Sequence, residues 1–391
     1  MITEEEARAK ILESVRPLPA RRSSILRALD CFSAENHFAR LPLPPFDNSA
    51  MDGYAVKASD CGPAGRLRVI GEQPAGVDRH LRVAAGEAVR IFTGAPLPEG
   101  ADAVVMQEDA TPAGNDVVVN VNVASGEFVR PRGCDLVEGQ RIVSVGERVR
   151  AVTVGLLASQ GVAEIVVGGE VQAAIVATGD ELASPGNKLQ PGQIYESNSL
   201  LLGALLQRSG ARPIAAQHCP DDTTSLRNAF AAAGKYHVLI VSGGVSVGEH
   251  DLVQQTLRDL GAKIDIWRVA IKPGKPFLFG QLGNCLVFGL PGNPVSAFVT
   301  FLKFVRPAIL KLMGAADLEL PTAQARLTVD LANEGNRVNY VRGKLDHGNF
   351  APVGRQESHA LFGLSQSNAL LRLKVGAIVA KGDTVDVEIW E

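Results

Sequence analysis

The chain has 391 residues, of which 46% are hydrophobic and 21% are charged, and its formal net charge at pH 7 is -3. This length predicts two to four domains with substantial cores, and the near-neutral balance excludes a global basic field that would attract nucleic acid or anionic lipid. The five cysteines are scattered without a CxxC pair, so we expect buried free thiols rather than a disulfide framework or a structural zinc.

The N-terminal stretch MITEEEARAK is acidic and polar, so it does not predict a signal peptide. No apolar run approaches the ~18 residues of a membrane-spanning helix. We therefore expect a cytoplasmic protein with no nucleic-acid or membrane partner.

The first forty residues predict two helices. Thr3 and Glu6 form a capping-box pattern ahead of apolar residues at helical spacing. A second helix is expected over Ser24 to Asp30. A proline-rich stretch, LPLPPFDNSAMDGYAV (residues 41–56), follows them. Because closely spaced prolines hold the backbone extended, this stretch is expected to bring Asp47 and Asp52 to one place.

The rest of the chain predicts β structure, then α/β structure, then β structure again. Short apolar runs separated by Gly, Pro, Asp and Asn between about 65 and 145 indicate a small β-rich domain, which is followed by a short helix, AVTVGLLASQG. Strands and helices alternate between 171 and about 313, which predicts a mostly parallel sheet covered on both faces. From 322 onward, four β-type runs predict a small barrel or sandwich.

Three predicted strands end in loops rich in polar residues and glycine: TGDEL, SGGVSVGEHD and LPGNPVSA. In open α/β sheets, ligands bind beyond the carboxyl ends of the strands. Asn293 and Pro294 suit the start of a helix, and the amides of such a start attract anions. A well-capped helix with nothing bound is an equally good interpretation of that loop alone. The second loop is likewise open between an anion nest and a tight turn.

A basic stretch lies between those loops and contains Arg268, Lys272 and Lys275. A solvated charged face is the usual explanation, but prolines and glycine restrain these lysines beside two anion-prone loops. Carboxylates of the same sheet edge, together with the lysines, indicate a divalent cation, Mg²⁺, bridging to phosphate. Taken singly, Asp221 or Asp222 is better explained as a helix cap. The carboxylates are Asp180, Glu181, Asp221, Asp222, Glu249 and Asp251.

A serine hydrolase is the rival interpretation, since GVSVG matches the GxSxG nucleophile elbow around Ser246. Three residues separate Ser246 from the strand, and no HGGG-type oxyanion segment is present. Such five-residue matches also arise by chance in a chain with 40 glycines. Neither a Walker loop nor a GxGxxG fingerprint is found.

Eight segments, taken together, resemble the MoeA family of molybdopterin molybdenumtransferases, which includes the gephyrin E domain. They occur in the family's order along nearly the whole chain: PPFDNSAMDGYAV, IFTGAPLPEGADAVVMQE, RPRGCDL, ATGDEL, SGGVSVGEHD, IKPGKPF, GLPGNPVSAFVTF and QESHALFGLSQSNAL. The resemblance implies an elongated domain (1–40 and 141–170), a β-rich domain (41–140), a MogA-like α/β domain (171–315) and a C-terminal β domain (316–391).

The resemblance further implies the insertion of molybdate into adenylylated molybdopterin with Mg²⁺-dependent release of AMP. It implies a homodimer with its active site between subunits. Partners implied besides the small-molecule substrate are a MogA-type adenylyltransferase and apo-molybdoenzymes. The proline-rich stretch would then reach either its own α/β domain or that of the partner subunit, and the resemblance favours the partner.

Carried over by motif, the resemblance also implies the site residues. The catalytic set is Asp52, Glu181, Asp221, Asp251, Lys272 and Lys275, with Glu181 and Asp251 as the Mg²⁺ ligands. The substrate-binding set for molybdopterin, AMP and molybdate is Thr93, Asp135, Asp180, Ser246, Pro291, Pro294, Ser296, Arg342 and Ser358.

Two other functions remain open at this point. A scaffold could use the same fold to hold a pterin or a partner, but it would not require Lys272, Lys275, Glu181 and Asp251. A MogA-type adenylyltransferase is the nearest alternative enzyme, but it does not need the additional β domains.

Overall fold

A computed structural model describes residues 1–244 and 252–390 of the chain. The chain divides into two compact units. We call one the α/β unit, which comprises Met1–Glu35, Val145–Val154 and Glu164–Glu391. The other is the β-rich unit, which comprises Asn36–Ser144 and Gly155–Ala163.

The helices alternate with strands through the α/β unit. They are α1 Glu4–Ser14, α2 Ala151–Ser159, α3 Asn198–Arg208, α4 Thr223–Ala233, α5 Leu252–Asp259, α6 Pro294–Thr300, α7 Arg306–Leu312 and α8 Leu361–Ser365.

The strands are numbered in chain order. Those before residue 170 are β1 Arg21–Ser24, β2 His37–Phe38, β3 Asn48–Ser49, β4 Gly53–Val56, β5 Gly65–Gln73, β6 Glu87–Ile91, β7 Ala103–Met106, β8 Ala110–Ala113, β9 Asp116–Val119, β10 Val129–Arg130, β11 Arg141–Val143 and β12 Glu164–Val167. Those between 170 and 300 are β13 Gln172–Thr178, β14 Leu182–Ala183, β15 Ile194–Tyr195, β16 Arg212–Cys219, β17 Val238–Ser242, β18 Lys263–Arg268, β19 Ile271–Lys272, β20 Pro276–Leu282 and β21 Cys285–Leu290. The last are β22 Thr322–Leu327, β23 Leu331–Ala332, β24 Val338–Asp346, β25 Asn349–Pro352, β26 Ala369–Leu373, β27 Ile378–Val379 and β28 Thr384–Ile389.

The first helix begins as predicted, and the second predicted helix is wrong. The Thr3 side chain accepts from the Glu6 amide and the Glu6 side chain accepts from the Thr3 amide, which completes the capping box of α1. The predicted second helix is replaced by β1, which pairs antiparallel with β12, and by turns over residues 25–30. Leu26 is 73% exposed, so the segment offers no apolar stripe to a core, and pairing with β12 satisfies the backbone instead.

The prediction of a mostly parallel sheet is confirmed. The strand order is β16-β13-β17-β21-β20-β18, and the first three pairings are parallel while the last two are antiparallel. Apolar residues of β13 alternate between the two faces of the sheet: Ile175 packs with α3 residues such as Leu202, and Val176 packs with α4 residues such as Phe230. Helices therefore cover both faces, and the parallel carboxyl ends share one edge.

The apolar run that follows the helix start at Asn293 is not one continuous α-helix. It is observed as α6, a π-helical turn over Phe301–Val305, and α7. Pro307 lies in the first turn of α7, where it lacks an amide to donate to the preceding turn. The π-turn immediately before it absorbs that interruption while the run stays buried.

The C-terminal barrel that was predicted as one of two options is closed. Strands β24, β25, β22, β28 and β26 pair in that order, and β26 pairs back to β24. Strand β19 adds to this barrel by parallel pairing of Lys272 with Asn339 of β24. On the other side, Ile2 bonds with the backbone of Arg268 and Ala270, just before β19. The N-terminal residues and the barrel therefore both hold the segment that carries Lys272.

The β-rich unit is built on a sheet of order β7-β4-β6-β5-β9-β8, as its sequence texture predicts. All four residues of β4 are buried, because β4 pairs with β6 on one side and β7 on the other. The polar stretch before β4 is thereby fixed to a rigid strand. Within residues 1–244 and 252–390, no helix is long and apolar enough to cross a membrane.

Candidate active site

A cavity of about 970 Å³ lies in the α/β unit at the carboxyl ends of β13, β17 and β21. The three loops singled out in the sequence contribute to its wall, together with the lysine segment after β19 and a segment that follows the barrel strand β25. The strand order explains the meeting of the three loops, because β13, β17 and β21 are neighbours in the sheet and run parallel.

Cationic and hydroxyl-bearing residues line part of the cavity. They are Lys272, Lys275, Ser296 and Ser358, and Pro291 and Pro294 line the cavity too. Both lysines are exposed residues, and the Val269 amide donates to the backbone carbonyl of Lys275. These residues therefore offer positive charge and hydroxyl donors to an anion.

The helix start at Asn293 and Pro294 is used differently from the capping expectation. Asn293 occupies the N-cap position of α6, but its side chain makes no cap bond. Its Nδ2 donates instead to Ser358 Oγ at 2.9 Å, and the Val295 amide donates to the Ser358 carbonyl at 3.1 Å. The first turn of α6 is therefore tied to the segment that follows β25.

Carboxylates also line the cavity. Glu181 and Asp221 line it, and Thr178 Oγ1 donates to Asp221 Oδ1. Asp180 is not on the cavity wall: its Oδ1 accepts from the Asp221 amide at 3.1 Å and so orients the loop. The helix-cap explanation holds for Asp222, which accepts from the Ser225 amide at 2.9 Å, and these bonds lower the pKa of Asp222.

Glycine at 179 allows the Glu181 carboxylate to fold against the loop. A Cβ at this position would lie 2.5 Å from Glu181 Oε2, so another residue would displace that carboxylate. A second close approach occurs at Gly243, where φ is +90° and a Cβ would lie 2.4 Å from the Thr178 carbonyl oxygen. Both glycines are thus required by the packing of the loops on one another.

The carboxylates fit a magnesium ion that is completed by substrate and water. Over 1–244 and 252–390, no group of three or more His, Cys, Asp or Glu side chains is placed to hold a metal ion. Mg²⁺ does not need such a cage, because it commonly takes one or two carboxylates and fills its octahedron with water and phosphate oxygens. Glu181 and Asp221 supply hard oxygen donors on one cavity, and the Gly179 cradle leaves the Glu181 carboxylate room there.

Two predicted residues, Ser246 and Asp251, lie outside the described residues. Arg342 is 1% exposed, and its guanidinium donates to the carbonyls of Arg355 and Glu357. Burial lowers the pKa of Arg342. The guanidinium therefore holds the segment that contributes Ser358, and a role of Arg342 in binding an anion stays a prediction.

Several cavity residues were missed by the sequence reasoning. Helix α3 begins at the cavity because a helix that follows a parallel strand starts near that strand's carboxyl end, so the ESNS run was the signal that could have found its first turn. The barrel residues had no such signal, because they are distant in sequence. The missed residues include Tyr195, Glu196, Asn198, Arg337, Gln356, Glu357 and His359.

Asp52 and Thr93 form a pair within the β-rich unit. Asp52 Oδ1 accepts from both the amide and the hydroxyl of Thr93, each at 2.7 Å. These two bonds, with a smaller contribution from the charge of Arg90, lower the pKa of Asp52. Arg90 itself is fixed over the Tyr54 ring at 5.1 Å and donates to Gln107 at 2.6 Å.

The proline-rich stretch is hydrogen-bonded to other loops of the β-rich unit. The Leu97 amide donates to the Asp47 carbonyl, and Asp47 Oδ1 accepts from the Arg132 amide at 2.7 Å. Asp135 is exposed, and its amide donates to the Leu43 carbonyl at 3.0 Å. The loops that carry Thr93 and Asp135 therefore both bond to this stretch, and the meeting of Asp52 and Asp135 at one site stays a prediction.

The α/β sheet with a cavity at the carboxyl ends of its parallel strands, together with a closed barrel and a β-rich unit, defines a multidomain protein of α/β class. Family models match the chain in the same order. The MoeA N-terminal region (domain I and II) matches residues 2–161, a probable molybdopterin binding domain matches 174–311, and the MoeA C-terminal region (domain IV) matches 324–390.

Relatives cover the whole chain. A molybdopterin molybdenumtransferase of Haemophilus influenzae is 37% identical over 399 residues, covering 99% of this chain and 98% of its own length. Molybdopterin molybdenumtransferase 2 of Mycobacterium tuberculosis is 36% identical over 370 residues and 90% of each chain. The crystal structure of the molybdopterin biosynthesis moeA protein from Pyrococcus horikoshii OT3 superposes with a TM-score of 0.84 at 27% identity, covering all of both chains. The chain belongs to the MoeA family, which confirms the resemblance.

Proposed function

We propose that this chain is a molybdopterin molybdenumtransferase that inserts molybdate into adenylylated molybdopterin and releases AMP. The observation that carries the proposal is that one cavity is lined by lysines and hydroxyl groups together with carboxylates. Relatives that are 36–37% identical over most of the chain bear this name, and the whole chain covers nearly their full lengths.

The lysines and hydroxyl groups of the cavity are suited to the anions of this reaction. Molybdate is a tetrahedral dianion, and AMP leaves with a phosphate group. Lys272 and Lys275 supply charge, and the hydroxyl groups of Ser296 and Ser358 supply donors, so an oxyanion can be held without tight covalent ligation. Because Ser296 and Ser358 lie on two elements joined by the Asn293 bond, their donors have a fixed spacing.

The carboxylates of the site are suited to Mg²⁺. We assign Glu181 and Asp251 as its ligands; Glu181 lines the cavity together with Asp221, and Asp251 lies outside the described residues. Bound there, the ion would neutralise charge that develops as the phosphoanhydride is broken. Asp180 and Thr178 orient Asp221 through the bonds described above.

We infer that the active form is a homodimer in which the loops of one subunit's β-rich unit complete the cavity of the partner subunit. Asp52, Thr93 and Asp135 are the residues that those loops would bring. The proposal is supported by the Asp52 carboxylate, which is ionised by two donors at a partly exposed position. We place the reaction in the cytoplasm, between a MogA-type adenylyltransferase that supplies the substrate and apo-molybdoenzymes that take the product.

The direct test mixes the purified protein with adenylylated molybdopterin, Mg²⁺ and molybdate and measures AMP. Molybdate-dependent release that is lost with EDTA is expected. Absence of release above a control without protein would exclude the transferase, and release of AMP without molybdate dependence would point to a hydrolase.

The dimer is tested by mixing two inactive variants, Asp52→Ala and Lys275→Ala. In a randomly mixed population, half of the dimers carry one intact site, so about a quarter of the wild-type activity should return. A mixture of Asp52→Ala with Asp135→Ala is the control, because both changes lie in the same unit and give no intact site in a mixed dimer unless both residues serve different cavities. Failure of the first mixture to recover activity would contradict the shared site.

A further inference from the structure

Asn198 stands in the first turn of α3 and bridges two of the cavity loops. It is 8% exposed, and it lies on the cavity wall. Its Nδ2 donates to Ser242 Oγ at 3.0 Å and to the Gly292 carbonyl oxygen at 2.6 Å. Neither bond belongs to helix capping, since the amide of Ser199 is capped by Glu196 instead.

The orientation of this amide is fixed by chemistry. A carbonyl oxygen only accepts, so the nitrogen and not the oxygen of Asn198 must face Gly292. The remaining atom, Oδ1, is buried and has no partner among residues 1–244 and 252–390. A side chain that merely filled space would not keep a buried amide with one unsatisfied oxygen, because leaving it unpaired costs free energy.

The two acceptors lie at the ends of neighbouring strands. Ser242 is the last residue of β17, and Gly292 follows β21, which pairs with β17 in parallel. Among the described residues, the Gly243 amide also donates to the Leu290 carbonyl at 3.2 Å and so joins the same two strand ends. Asn198 therefore connects α3 to the starts of both loops through two hydrogen bonds.

We propose that Asn198 is a positioning residue that sets the separation of these two loops, and hence of the groups that they bring to the substrate. The Gly292 side continues directly into Pro294 and Ser296 of the anion pocket. This inference rests on the proposed function, since it concerns the geometry of the same cavity. Asn198 acts through the loops and not on the reacting atoms.

The decisive variant is Asn198→Asp, which keeps the size of the side chain and replaces the donor facing Gly292 by an oxygen. We expect kcat for AMP release to fall about 100-fold, against about tenfold for Asn198→Ala, because displaced catalytic groups cost rate steeply. The KM for adenylylated molybdopterin should stay within about threefold, since most binding groups are untouched. If Asn198 only fills space, the order reverses and Asn198→Asp remains close to wild type, which would overturn the inference.

Asn368→Asp is the matched control. In the barrel, Asn368 Nδ2 donates to the Leu345 carbonyl at 3.0 Å, so the same change removes an equivalent bond away from the cavity. It should lower stability while leaving kcat within about twofold. An equal loss of kcat in both variants would assign the effect to general destabilisation and overturn the positioning role.

A measurement independent of activity separates this inference from the proposed function. Amide hydrogen exchange at Gly243, which bonds across the two loops, should become at least about tenfold faster in Asn198→Asp. Ser242→Ala, a milder change that removes one acceptor, should show a smaller increase and serves if Asn198→Asp does not fold. Unchanged exchange in a folded variant would refute the bridge even if the wild type is active. Failure of the wild type to release AMP would refute the function and leave the exchange result to decide the bridge.

Discussion

Two carboxylates of this protein, Glu4 and Asp52, have different surroundings and serve different purposes. Glu4 of α1 is 5% exposed and is enclosed by partners: the Tyr340 hydroxyl donates to Oε1, and Arg372 Nε donates to Oε2 at 3.0 Å. Asp52 of the β-rich unit accepts two hydrogen bonds from Thr93 on one oxygen, at a partly exposed position. A carboxylate whose two oxygens both accept hydrogen bonds, as in Glu4, holds structural elements together. A carboxylate that accepts on one oxygen, as in Asp52, keeps the other oxygen for a further partner.

The enclosed cluster joins elements that are far apart in sequence. Lys303 of the π-turn lies 2.6 Å from Glu388 and 3.9 Å from Glu4, so helix, barrel and N-terminus share one set of charges. Burial, followed by the nearby carboxylates, raises the pKa of Tyr340, so its phenol stays protonated and donates. This cluster is structural because its charges are largely removed from water and pair with one another.

Glu4→Ala should have the largest effect and would break the enclosed cluster. It leaves Arg372 and Lys303 with reduced compensation in a buried setting, so we expect a loss of about 3–5 kcal/mol in the free energy of unfolding. Urea denaturation followed by circular dichroism measures it. Glu5→Ala is the control, since Glu5 also bonds Arg372 but is largely exposed, and a loss above about 0.5 kcal/mol there would contradict the contrast.

Asp52→Asn should strongly reduce activity at almost unchanged stability. The amide keeps the size of the carboxylate but loses its charge, so kcat for AMP release is expected to fall about 100-fold. Steady-state kinetics and a thermal melt give the two readouts. A melting temperature lowered as much as in Glu4→Ala would place Asp52 with the structural cluster and erase the comparison.

Tyr340→Phe tests one bond of the enclosed cluster. Removal of the hydroxyl leaves Glu4 paired with Arg372 and preserves the ring, so a loss of about 1–2 kcal/mol is expected. The same urea titration measures it, and unchanged stability would mean that Arg372 alone satisfies Glu4.

Thr93→Ala should give the smallest effect and sharpens the exposed cluster. It removes one of the two donors to Asp52, so the lowered pKa of that carboxyl should rise toward its ordinary value, as seen by NMR titration of the side-chain carbon. Because the folded pKa is depressed in the wild type, its stability advantage over the variant is present above the ordinary aspartate pKa and disappears as the pH falls through the folded value. Thr111→Ala, on a surface strand of the same unit, should leave the titration of Asp52 unchanged.

Much of this arrangement could be read from the sequence because local signals agreed with the tertiary result. The capping box of α1, the buried runs of β13 and β17, and the Pro-Gly loops each obey rules that span only a few residues. Once the strands were parallel, the meeting of their loops at one edge followed from topology. That is why Glu181, Lys272 and Ser296 were expected near one another.

The sequence reasoning failed where distant residues decide the local structure. The predicted helix over 24–30 gave way to pairing with β12, more than 130 residues later. Arg342 was assigned to the anion site from the family motif VRGK, but its burial and its bonds to two carbonyls depend on a loop that no local pattern predicts. The partners of Glu4 are likewise separated from it by more than 330 residues.

The contacts of the first residues have a consequence for the order of folding during synthesis. Ile2 forms backbone hydrogen bonds with Arg268 and Ala270. Glu4 accepts hydrogen bonds from the side chains of Tyr340 and Arg372. Ile2 and Glu4 therefore find all of these partners only after the residues up to Arg372 have been synthesised. Since contacts of such long sequence separation close late, α1 should dock as the final step and lock the lysine segment and the barrel in place together.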